Sequence, residues 1–193
     1  SRMSAFASEL INSTDSKKQE KIYKKIFKYE EITDKMEIEI TEYITKLSNN
    51  EITPRTSVKL RSILNICNDL ERIGDIYYQI SKTLESKNEN NQYFTPEQRN
   101  NLNEMSQLID QAFAIMNKNL ATDHYDEVNK DDAMEIERDI NKYRNNLRKN
   151  NLSSLGVDGY DVQSAMIYNN IFSSLEKVGD HIINVTEAVV GEV

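Results

Sequence analysis

Six acidic residues stand in pairs one helical turn apart. Glu30 and Asp34, Glu71 and Asp75, and Glu176 and Asp180 are each separated by four positions, and residues so spaced lie one above the other on one face of an α-helix. Like charges in that arrangement repel by a few tenths of a kcal/mol, roughly 0.2–0.5. A chain that repeats them needs compensation, and hard carboxylate oxygens suit magnesium, calcium, manganese or iron. Two such helices side by side offer four carboxylates, enough for one cation or a bridged cluster.

Two of the pairs belong to a repeated motif. Leu70–Asp75 reads LERIGD and Leu175–Asp180 reads LEKVGD; the same register matches Asn65 with Asn170 and Ile66 with Ile171. A weaker echo, EEITD against ERDIN, sets Glu30 over Glu137 and Asp34 over Asn141. The chain therefore reads as a tandem of units of about 105 residues, each with a Glu-x-x-x-Asp/Asn helix followed by a Glu-x-x-Gly-Asp helix. Glycine inside a helix costs about 1 kcal/mol relative to alanine. Its recurrence at Gly74 and Gly179 points to a close approach by another helix. In a chain with 32 acidic residues a carboxylate pair at helical spacing is most often a solvated face, and the repetition in register is what lifts these pairs above that background.

Apolar periodicity supplies the elements. Ile22, Ile26, Tyr29, Thr33, Met36, Ile40, Tyr43 and Leu47 follow steps of four and three along one long helix. Thr53–Pro54 opens a second helix through Ile63, Ile66, Leu70, Ile73, Tyr77, Ile80 and Leu84, and Thr95–Pro96 a third through Leu102, Met105, Ile109, Phe113 and Met116. A loop is expected over Asn88–Phe94. A fourth helix carries Val128, Met134, Ile136, Ile140 and Tyr143 to about Leu147; LGVDGY then breaks it, and a fifth runs from about Ile167 to Val189. Met3–Ile11 adds a short one. The predicted fold class is all-α: two tandem three-helix bundles related by an internal repeat, residues 1–90 and 91–193. The first helix of the second unit opens well before Glu137, whereas its counterpart would fall before Ser1. SRMSAFASELIN is thus expected to be the tail of a truncated first helix.

Composition narrows the function classes. The net charge of −8 and pI of about 4.9 disfavour a nucleic-acid partner, which calls for clustered Lys and Arg. Cys67 is the only cysteine, so neither a disulfide framework nor a CxxC site is available. No run of about 18 apolar residues is present. There is no Gly-rich phosphate loop, Gly-x-Ser-x-Gly or Glu-x-x-His, and an enzyme is not expected. His124 and His181 are the only histidines; His181 follows Asp180 and reads as a partly exposed helix histidine rather than an added ligand.

Tandem three-helix units carrying Glu71–Asp75 and Glu176–Asp180, each after a Glu-x-x-x-Asp-like helix, resemble the PhoU family of bacterial phosphate regulators over almost the whole chain. That resemblance implies internal pseudo-twofold symmetry and multinuclear metal clusters on the acidic motifs. It names Glu30, Asp34, Glu71, Asp75, Glu137, Glu176 and Asp180 as metal ligands, for iron, zinc, manganese or magnesium. Asn141 departs from the pattern and removes one charge. The resemblance further implies regulation without enzyme activity, through a phosphate transporter complex, in a possible homodimer. The short start is similar to the C-terminal domain of bacterial sodium/phosphate cotransporters. This suggests a regulator of phosphate uptake at the cytoplasmic face of the inner membrane, with the membrane transporter domain upstream in the same chain. The alternatives are a stand-alone PhoU-type regulator and a metal-free helical-repeat scaffold of spectrin-like type; the absence of Trp argues against the last.

Overall fold

The computed structural model describes residues 1–49, 51–122, 128, 130–155 and 161–191. Among them are six helices and no strand: α1 (Arg2–Asn12), α2 (Ser16–Ser48), α3 (Pro54–Glu89), α4 (Pro96–Leu120), α5 (Asp131–Ser154) and α6 (Val162–Val190). Local chemistry fixes the starts. The Asp15 carboxylate accepts from the N–H groups of Lys17 and Lys18, and Thr53 accepts from Thr56 with Pro54 behind it. Thr95 and Gln98 form a reciprocal capping box, and Asp161 caps α6. The helix-opening signals in the sequence are therefore satisfied as hydrogen bonds.

Helices α3 and α6 lie along each other at the centre, with α1 and α2 on α3, and α4 and α5 on α6. One apolar core runs through both halves, from Ile26, Ile80 and Leu84 to Leu102, Ile109, Phe172 and Leu175. Tyr77 of α3 is buried and stacks on Phe113 of α4 with ring centroids 6.4 Å apart, while Tyr78 sits at the core's edge. Among the described residues, no helix is long and apolar enough to cross a membrane.

Three expectations shift. The α2 stripe is buried at its start, where Ile26 is fully buried, but Met36 is 54% and Tyr43 63% exposed, and towards the end Ile44, one position off the stripe, is buried instead. The cause is the length of α1. Its eleven residues span about 16 Å, and its first turn already lies opposite Tyr29, which accepts a 2.6 Å hydrogen bond from Arg2. Ile63, on the matching part of α3, is exposed for the same reason. In α5, Val128 lies before the helix and Met134 faces solvent, Ala133 being buried instead. That helix outlasts Leu147 because Leu147 is buried and Asn151 donates to the Ala165 carbonyl of α6 at 3.1 Å. Helix α3 continues to Glu89, so the expected loop begins later, with Asn91 left-handed at φ 53. The glycines of LGVDGY and His124 lie outside the described residues.

Both mid-helix glycines mark close helix contacts. A Cβ on Gly74 would fall 2.6 Å from Thr33 Oγ1 of α2, and one on Gly179 would fall 3.2 Å from Ile140 Cδ1 of α5. Gly74→Ala gains about 1 kcal/mol of helix propensity but overpacks the contact at a cost of about 1–3 kcal/mol. A net loss of about 1 kcal/mol is expected by urea unfolding. Adding Thr33→Ala should recover it, and Gly74→Ala as stable as the wild type would refute the contact.

Candidate metal centre

Glu30 and Asp34 lie one turn apart on α2, and Glu71 and Asp75 one turn apart on α3, on either side of the Gly74–Thr33 contact that draws the two helices together. One carboxylate oxygen each from Glu30, Asp34 and Asp75 lies within 4.8 Å of the others. All four side chains are half-buried between the helices, not on a fully solvated face. Burial, then Asp34 and Asp75, push the Glu30 carboxyl up. Burial first, and a hydrogen bond with Asp75 second, push Glu71 up to about 7. Arg72, 3.7 Å from Glu71 but itself mostly exposed, offsets part of that.

The group is electrostatically incomplete. Among the described residues, Glu30, Asp34 and Asp75 have no ion-pair partner, and Asp34 Oδ1 is buried with no hydrogen-bond partner. Unsatisfied buried carboxylate oxygens are rare and costly. A hard cation would satisfy Asp34 Oδ1 and neutralise its neighbours, so these residues fit a metal.

The second copy is built differently. Arg144 Nη2 donates to Glu176 Oε1 at 2.5 Å and to Asn141 Oδ1 at 3.3 Å, and Asn141 Nδ2 donates to Glu137 Oε1 at 3.3 Å. Arg144 thus pairs directly with Glu176, reaches Glu137 through Asn141, and acts on Asp180 by charge alone. Asp180 is still raised to about 6, by burial and then by Glu176 and Glu137, with His181 and Arg144 opposing. A fixed cation occupies the charge position a metal would take, and these three residues do not fit one. The register that sets Glu30 over Glu137 and Asp34 over Asn141 sets Glu37 over Arg144: acid in one half, base in the other. The sequence signal for this exchange lies one turn beyond Asn141 in the same register. His181 turns away to α3, where its Nδ1 lies 2.8 Å from Asp69 Oδ1 and Asn184 donates to the same oxygen at 3.1 Å.

The raised carboxyls set a pH dependence. In the folded state Glu71 and Asp180 hold protons up to about 7 and about 6, whereas unfolding returns them to 4.5 and 3.8. Between those limits the folded chain binds more protons, so the metal-free protein should gain stability as the pH falls from about 7 towards 5. Urea midpoints across that range test it, and Glu71→Gln should flatten the upper part. A midpoint that falls on acidification would contradict the assignment.

Residues 1–84 match the family profile described as PhoU domain. No curated protein sequence matches the chain significantly. Among solved structures, the phosphate transport system regulatory protein PhoU from Streptococcus pneumoniae superposes with a TM-score of 0.73 at 23% identity, covering 98% of this chain and 86% of that one. PhoU from Pseudomonas aeruginosa gives 0.71 at 18%, covering 98% and 87%. The chain therefore has the PhoU fold, an all-α pair of three-helix bundles with an internal repeat.

Proposed function

We propose that this chain is a PhoU-type regulatory domain that restrains phosphate uptake, acts on a phosphate transporter, has no catalytic activity of its own and carries one metal centre on Glu30, Asp34, Glu71 and Asp75. The observation that carries the metal centre is the orphaned, buried Asp34 Oδ1 beside two further carboxylates with no cation of their own. The transporter role is supported by the profile match over residues 1–84 and by the two PhoU neighbours. In this reading residues 1–90 and 91–193 are the two repeats, the first metal-bearing and the second closed by Arg144. Iron, zinc, manganese and magnesium all suit the oxygen donors.

Deleting the coding segment should raise phosphate uptake by cells grown in excess phosphate, and the Glu30→Gln/Asp75→Asn double variant should fail to restore restraint. Unchanged uptake in the deletion strain would sink the regulatory role; restoration by the double variant would sink the role of the metal. The sequence upstream of Ser1 separates the two forms such a domain takes. Several apolar segments there place it at the cytoplasmic face as the tail of a sodium/phosphate cotransporter. A short polar segment makes it a free-standing regulator, the form its structural neighbours take by name.

A further inference from the structure

One cavity reverses the charge balance of this acidic chain. It has a volume of about 280 Å³ and opens where the α1–α2 connection meets the end of α3 and the start of α4. Lys87 and Arg99 line it together with the hydroxyl residues Ser13, Thr14 and Ser16, and no Asp or Glu does. In a chain with 32 acidic against 24 basic residues, that composition is unexpected.

Lys87 is the telling residue. It is only 8% exposed, and its ammonium lies 4.7 Å from the ring centre of Phe94 and 5.9 Å from that of Tyr93. Its one hydrogen bond goes to Asn88 Oδ1 at 3.0 Å, which leaves donor capacity unused. Among the described residues neither Lys87 nor Arg99 has a carboxylate partner. Burial first, and repulsion from Arg99 second, push the Lys87 ammonium below its ordinary value. Ring faces offset part of the cost of burying an ammonium, but two cations sharing one cavity without a counter-charge are unfavourable. The nearby Asp15 carboxylate is engaged by the N–H groups of Lys17 and Lys18. An anion would complete the site, held by charge-assisted bonds from both basic groups.

We propose that this cavity binds a small organic oxyanion, a phosphate ester or a carboxylate. Its charged end sits between Lys87 and Arg99, and its apolar body lies against Phe94 and Tyr93. The site shares no residue with the metal centre, so either assignment can fail without the other.

Titration of the full chain with inorganic phosphate, phenyl phosphate and benzoate, at constant ionic strength in chloride, tests this by calorimetry and thermal shift. Saturable binding of at least one organic probe is expected, tighter than that of inorganic phosphate. Arg99 is half-exposed, so Arg99→Gln should fold normally while weakening binding by about tenfold or more. Lys87→Met should do the same, and Lys82→Gln, which removes a charge from the same helix outside the cavity, should leave binding intact. The stronger of phenyl phosphate and benzoate identifies the headgroup. The proposal is overturned if no probe saturates by about 10 mM, or if Arg99→Gln binds as the wild type does.

Discussion

Asparagine at Asp75 should abolish metal binding while making the metal-free protein more stable. Asp75 offers an oxygen within 4.8 Å of those of Glu30 and Asp34 and, after burial, raises its neighbour Glu71 through a shared hydrogen bond and charge. Losing a direct ligand should weaken manganese or zinc binding by more than about 100-fold, the upper end of what loss of an outer-shell partner costs. The same substitution relieves like-charge repulsion, so unfolding without metal should become harder by about 0.5 kcal/mol. The opposite signs matter. A residue kept only for a solvated face would change neither quantity, and a purely structural carboxylate would lose stability. Metal content after dialysis, together with urea unfolding in chelator, measures both; metal retained by Asp75→Asn would refute the centre.

Arg144→Gln should have the largest effect on stability. Its guanidinium and the Glu176 carboxylate are 19% and 13% exposed and 2.5 Å apart, and Asp180 lies close enough for burial first, then Glu176 and Glu137, to raise its carboxyl. Removing one partner of such a pair strands the other charges, a loss on the order of 3 kcal/mol. Restoring the acidic register by Arg144→Glu with Asn141→Asp should instead create a second centre, seen as one further equivalent of manganese bound. The assignment fails if Arg144→Gln unfolds within about 0.5 kcal/mol of the wild type. It fails equally if the wild type binds metal that Asp180→Asn removes and Asp75→Asn does not.

Local signals carried much of the fold. Thr53–Pro54 and Thr95–Pro96 opened helices because a capping hydroxyl and a proline need no tertiary help. The paired glycines announced close helix contacts, since nothing else offsets their cost twice in one register. Periodicity identified which face of α2 is apolar, but not how far a third helix reaches along it; the exposure of Met36 and Tyr43 follows from the length of α1. At the first acidic cluster, i,i+4 spacing named the four carboxylates that α2 and α3 carry, of which Glu30, Asp34 and Asp75 bring oxygens within 4.8 Å of one another. At the second, spacing did not announce Arg144, which reaches Glu176 across the α5–α6 contact from a position outside the motif. His181 shows the same limit: its neighbour in sequence is Asp180, and its partner in space is Asp69.

The exchange of Glu37 for Arg144 between the repeats gives the two halves different kinds of glue. A side-chain cation is covalently part of the chain, so it cannot be chelated, diluted away or outcompeted. The metal proposed for the α2–α3 cluster would instead come and go with supply. Chelator should therefore loosen α2 from α3 and leave α5 on α6 untouched, visible as faster amide exchange confined to residues around Glu30–Asp34 and Glu71–Asp75. With that metal bound, the symmetric-looking bundle would be a lever with one fixed arm, registering the ionic state of the surroundings on one side and holding it constant on the other.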